Sequence, residues 1–104
     1  MSHSINPALK FDEASLRRIC RRWSITELAL FGSAVRPDFN DQSDVDVMAT
    51  FAPDSGITLW ELADIRSDLE ALFGRPVDVV TRSVMNNPYR RDSIERDLTV
   101  VYAA

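Results

Sequence analysis

The sequence predicts an α+β fold, a four-stranded mixed β-sheet flanked by helices in the order α-β-β-α-β-α-β. Three observations predict it: stretches with apolar residues at helical spacing, a stretch of strict two-residue alternation, and glycine or proline at the joints between them. Strands interleaved with helices in this way suggest a sheet with its helices packed on one side. The 104 residues contain no linker rich in proline, glycine and serine. Residues 11–104 are therefore expected to form one domain after a loose lead-in over residues 1–10.

From Asp12, Leu16, Ile19, Cys20 and Trp23 recur at helical spacing, with acids at the amino end of the run and arginines at its carboxyl end. Leu28, Ala29, Leu30 and Phe31 then form an apolar run stopped by Gly32, too short for a helix and suited to a buried strand. In residues 43–51, Val45, Val47, Ala49 and Phe51 alternate with Asp44, Asp46, Met48 and Thr50, the two-faced pattern of a strand. Pro53 to Gly56 marks a turn, and Thr58 with Glu61 forms a capping box that opens a second helix. Leu62, Ile65, Leu69, Leu72 and Phe73 give that helix one apolar face, and Gly74 followed by Pro76 ends it. Residues 77–81 read as a third strand. Asn87 and Pro88 provide the N-cap and first-turn proline of a helix running to about Asp97, after which residues 98–102 close the sheet as an edge strand.

A hydrophobic content of 45% with 27% charged residues is that of a soluble globular chain. No apolar run approaches the roughly 20 residues needed to cross a bilayer, and no basic and hydrophobic leader is present, so a cytoplasmic location is expected. The lone Cys20 and lone His3 build neither an internal disulfide nor a structural zinc site. A formal net charge of -4 argues against direct nucleic-acid binding, which normally uses surplus cations against phosphate. The basic block of Arg17, Arg18, Arg21 and Arg22 reads as a solvated helix face rather than a docking patch.

The chemistry concentrates in Gly32-Ser33, ten intervening residues, Asp44-Val-Asp46, and Asp78 on the next strand. A strand ending in glycine lets the backbone approach a phosphate, and Ser33 adds a hydroxyl and an amide donor. Should a helical turn begin there, its free amides also favour a triphosphate. Carboxylates at i and i+2 on a strand project from one face and can reach a pair of Mg²⁺ ions about 4 Å apart. Asp78 interrupts the apolar Val77, Val79 and Val80, where an unpaired carboxylate is costly and a nearby cation would remove the cost. Asp44 and Asp46 would likewise raise each other's pKa without an intervening metal. Either Asp-x-Asp or Gly-Ser alone is common on surfaces; it is the combination at this spacing, with strands before and beneath it, that points to a site.

These residues resemble the signature of the DNA polymerase beta-type nucleotidyltransferase superfamily. More narrowly, the runs from Leu30 to Arg36 and from Gln42 to Val47 resemble the minimal nucleotidyltransferase (MNT) family of prokaryotes, and the likeness spans nearly the whole chain. The resemblance implies ATP and two Mg²⁺ ions as cofactors and transfer of AMP with release of pyrophosphate. Gly32 and Ser33 match the triphosphate-binding turn, and Asp44 and Asp46 the metal ligands. Asp78 matches a third carboxylate that ligates metal or serves as general base, and Arg36 falls where an arginine contacting phosphate is common. Val35 and Pro37 depart from the small residue and glycine usual at those places, which bears on the conformation of the turn and on Arg36.

The resemblance further implies a partner, a HEPN-type ribonuclease toxin adenylylated on tyrosine, with this chain as its antitoxin. Two other readings stand beside it: a non-catalytic antitoxin acting by stoichiometric binding, and a small-molecule nucleotidyltransferase, which usually carries a second domain for its acceptor. Trp23 and Trp60 are expected in the core or an interface. Arg90 and Arg91 open a helix where positive charge is mildly unfavourable, which fits a solvated pair or a contact to phosphate or a partner.

Overall fold

The structure, a computed structural model, describes residues 9–37, 39–40 and 42–104. Its elements are α1 (Glu13–Arg22), β1 (Ile25–Phe31), β2 (Val45–Phe51), α2 (Leu59–Phe73), β3 (Val77–Thr81), α3 (Pro88–Asp97) and β4 (Thr99–Ala103). Short 3-10 turns at Gly32–Val35 and Arg82–Asn86 follow β1 and β3. The expected α+β order is therefore present element for element.

The caps act where the sequence places them. Asp12 accepts the Ser15 amide at the start of α1, and Thr58 and Glu61 form the reciprocal capping box of α2. Gly74 ends α2 at φ 70°, and Asn87 accepts the Tyr89 amide with Pro88 in the first turn of α3.

The sheet order is β3-β2-β1-β4. β1 runs antiparallel to both β2 and β4, while β2 and β3 are parallel, so the sheet is mixed and β4 lies at an edge. On one face, Leu28, Leu30, Val45, Val47, Ala49 and Val77 meet Leu16 and Cys20 of α1 and Ile65, Leu69 and Phe73 of α2. Burial there pushes the Cys20 thiol up to about 11.

The other face is not bare, in contrast to the expected one-sided packing. Ile94 of α3 packs on Phe31 and Met48 in a second, smaller core. Met48 alternates with the aspartates and reads as solvent-facing by period, yet it is 1% exposed because α3 covers that end of the strand. A helix of period 3.6 needs only one apolar anchor to be held over a half-polar sheet face, a pairing that strand alternation does not reveal.

Residues 1–8 of the expected lead-in, His3 among them, lie outside the described residues, and Leu9 is inserted into the main core. The four arginines of α1 are exposed, as expected. Trp23 is half-buried and donates from Nε1 to Asp68 at 2.8 Å. Of the two places expected for Trp60, the core is not the one it takes: in the capped first turn of α2, ahead of the apolar stripe, it is 85% exposed.

Candidate active site

The site forms where β1 ends and β2 and β3 begin. Antiparallel pairing sets Phe31 opposite Asp46, and parallel pairing sets Asp46 beside Asp78. Residues paired across neighbouring strands, about 4.8 Å apart, project to the same side. Asp46 and Asp78 therefore share the face that also carries Met48 and Phe31. Asp44 immediately precedes β2, two residues before Asp46, and its carbonyl accepts the Ser33 hydroxyl at 3.3 Å.

Gly32 follows β1 with φ 70°, and a Cβ there would lie 2.5 Å from Asp46 Oδ2. The left-handed backbone favours glycine, and any added methyl group would push the Asp46 carboxylate out of its position. Ser33 lies in the 3-10 turn that follows, whose amino end has no side-chain cap. The turn anticipated after Gly32 is thus present.

Burial raises the Asp46 carboxyl above the ordinary carboxylate value of 3.8, and the negative charges of Asp78 and then Asp44 raise it further, against the pull of Arg90 and Arg36. Asp78 itself is exposed on the edge strand and also borders a hollow formed with Leu62, Ala63 and Arg66 of α2. Among the described residues, no three His, Cys, Asp or Glu side chains close on one point as a ready-made ion cage. Such a cage is not required for magnesium, which is ordinarily held by one or two carboxylates together with the phosphates of a nucleotide.

Arg36 is held by Asp97, Nε to Oδ2 at 3.0 Å, and lines a cleft of about 310 Å³ with Phe31, Gly32, Asp46, Tyr89 and Arg90. A larger groove of about 640 Å³ lies between α1 and α2, lined by Asp12, Arg18, Arg22 and Asp68 among others. Those charges already engage one another or neighbouring side chains, with Asp12 accepting from Ser15, Arg18 donating to Ser15 and Arg22 pairing with Asp68. The smaller cleft, where the half-buried Asp46 stands beside Asp78 and Asp44 and against the bare backbone of Gly32, is the better candidate.

Residues 13–101 match the profile of the family described as nucleotidyltransferase domain. The chain belongs to this family. A Methanocaldococcus jannaschii protein named as a candidate protein adenylyltransferase is 34% identical over 80 residues, which is 77% of this chain and 80% of that protein. A solved structure described as a candidate minimal nucleotidyltransferase superposes with a TM-score of 0.66 at 28% identity, covering 83% of this chain and 85% of that one. A chain of a toxin-antitoxin crystal structure with AMP-PNP reaches a TM-score of 0.69 at 15% identity, covering 89% and 74%, a likeness of fold. The resemblance drawn from Gly32-Ser33 and the aspartates is borne out at the level of family and fold.

Two features of this nucleotidyltransferase escape sequence pattern. One is the α3 wall of the cleft, which only the packing of Ile94 brings over the aspartates. The other is Arg75, whose Nη1 donates to the carbonyls of Asn40 at 2.9 Å and Ser43 at 3.1 Å while its guanidinium lies over the Phe39 ring. This arginine ties down the approach to Asp44, and a lone arginine after a helix-ending glycine carries no signal of that in sequence. Arg75→Met is expected to destabilise the fold by about 1–3 kcal/mol, and to lower nucleotidyl transfer more than its stability loss explains. Denaturant melts alongside turnover at a temperature where the variant is fully folded check this.

Proposed function

We propose that this nucleotidyltransferase uses Mg-ATP to move AMP onto a hydroxyl, a tyrosine hydroxyl, of a partner HEPN-type ribonuclease toxin, and thereby acts as its antitoxin in the cytoplasm. The observation that carries the reading is Asp46: a half-buried carboxylate set between Asp44 and Asp78 and pressed against the glycine at the end of β1. The naming of a relative as a protein adenylyltransferase, and the fold shared with a toxin-antitoxin structure containing AMP-PNP, support it.

The donor set fits a hard cation. Three carboxylates supply only oxygen, and burial first, then the charges of Asp78 and Asp44, raise the Asp46 carboxyl against the pull of Arg90 and Arg36, a cost that a bound cation would relieve. Asp44, Asp46 and Asp78 would hold two Mg²⁺ ions, which when bound supply Lewis-acid stabilisation of charge on the reacting phosphate. Gly32 lets the backbone approach the triphosphate, Ser33 offers its amide and hydroxyl, and Arg36 sits at the cleft with its guanidinium oriented by Asp97. In the transfer, the acceptor oxygen bonds to the α-phosphorus as the bond to the bridging α-β oxygen breaks. Pyrophosphate leaves, and the hydroxyl proton passes to the Asp78 carboxylate, which lies exposed on β3 next to Asp46. An open cleft of about 310 Å³ suits a large acceptor such as a protein side chain.

The test is incubation of the purified protein and its partner with ATP labelled on the α-phosphate, beside co-expression of the pair in cells. Wild-type protein is expected to transfer label to the partner and neutralise it, and Asp44→Asn with Asp46→Asn to do neither. Full neutralisation by that double variant would mean inhibition by binding alone, and label on a small molecule but not on the partner would mean a different acceptor.

A further inference from the structure

We propose that Arg90, in the first turn of α3, binds the triphosphate tail of the nucleotide, an assignment that rests on the reading of the cleft as a nucleotidyltransferase site. Four residues along the same helix face, Ile94 is buried at 3% exposure against Phe31 and Met48. Positions i and i+4 of a helix lie one above the other, so that anchor fixes Arg90 over the cleft it shares with Gly32 and Asp46.

Other arginines near this face of the sheet already have partners. Arg36 pairs with Asp97 and Arg82 with Glu27, both at 3.0 Å. The guanidinium of Arg90 has neither an ion pair nor a hydrogen bond among the described residues, although its charge reaches Asp46. Arg90 also stands third in α3, where the amide dipoles disfavour a cation. An unpaired cation held against the dipole, beside a surplus of carboxylates, is accounted for by a ligand with several negative charges. A metal-bound triphosphate meets both needs, satisfying the aspartates through its cations and Arg90 through its oxygens.

Titration calorimetry with Mg-ATP and with AMP, on wild-type protein and on Arg90→Ala, Arg90→Lys and Arg91→Ala, tests the assignment. Arg90→Ala is expected to weaken ATP binding about ten- to a hundredfold, with AMP affinity within twofold of wild type. Arg90→Lys should recover part of the loss, and Arg91→Ala, outside the cleft, should match wild type. Removing a cation from this helix end should leave the melting temperature unchanged or slightly higher.

An Arg90→Ala protein that binds ATP as wild type does would overturn the assignment. So would one that melts lower and loses ATP and AMP equally, the pattern of a structural role. Wild-type protein that fails to bind Mg-ATP would instead remove the nucleotidyltransferase reading, and the Arg90 assignment with it.

Discussion

Asp46→Asn is expected to abolish AMP transfer and at the same time to stabilise the folded protein. The two effects have one cause. In the absence of ligand, Asp46 holds a charge that burial disfavours and that Asp78 and Asp44 repel. An amide of nearly the same shape removes that charge without opening a cavity. It also removes an anionic oxygen from the group proposed to hold the ions, and loss of several kcal/mol of transition-state stabilisation corresponds to about a thousandfold or more in rate.

The pH dependence has a definite sign. Because the folded pKa of Asp46 is raised, its favourable contribution to stability is complete below the ordinary value of 3.8 and is lost as pH rises through the folded pKa. The Asn variant titrates at neither end. Its melting temperature should therefore exceed that of wild type by a few degrees at pH 7, and the gap should close as pH falls toward 4. Melts of both proteins across this range, with a chelator present, provide the measurement. A variant that melts below wild type at pH 7 would contradict the strained-carboxylate account. Magnesium with ATP should narrow the gap from the other side, since ligand binding stabilises only the protein that can bind it.

How far the sequence could lead is visible in the same residues. Gly32, Asp44 and Asp46 are legible because strand alternation and glycine chemistry are local: the period of two sets which residues share a face, and an apolar run ending in glycine marks where the strand stops. Asp78 is legible as an anomaly within a β-branched run, and the parallel register that puts it beside Asp46 follows once α2 is read as the crossover between two strands. The α3 wall is different in kind. Nothing in Pro88 to Asp97 is strongly amphipathic, and a single buried residue, Ile94, decides which way the helix faces. Arg90 is therefore an oddity of helix electrostatics in sequence and becomes a cleft residue only in three dimensions. Met48 was concealed in the same manner, its environment being set by a helix some forty residues away in the chain.

Gly32→Ala is expected to be the most damaging of the glycine substitutions, and the other two glycines serve as its controls. Gly32, Gly56 and Gly74 have φ of 70°, 69° and 70°, so an alanine at any of them carries the same backbone penalty, about 1–2 kcal/mol. They differ in what the new methyl group meets. At Gly56 and Gly74 nothing lies within 4 Å, whereas at Gly32 the methyl falls 2.5 Å from Asp46 Oδ2. The difference in stability between Gly32→Ala and Gly74→Ala therefore isolates the clash with the carboxylate, and only Gly32→Ala should lower AMP transfer, by about a hundredfold or more. A double-mutant cycle makes the mechanism specific. Combined with Asp46→Ala, Gly32→Ala should cost only the backbone penalty seen at Gly74, because the atom it strikes is gone, and the pair should be less destabilised than the sum of the two single changes. Strict additivity would mean that the glycine is needed for its backbone conformation alone. A coupling would show that the end of β1 and the first residues of β2 are fitted to one another around the carboxylate, leaving the space in which a phosphate can approach both.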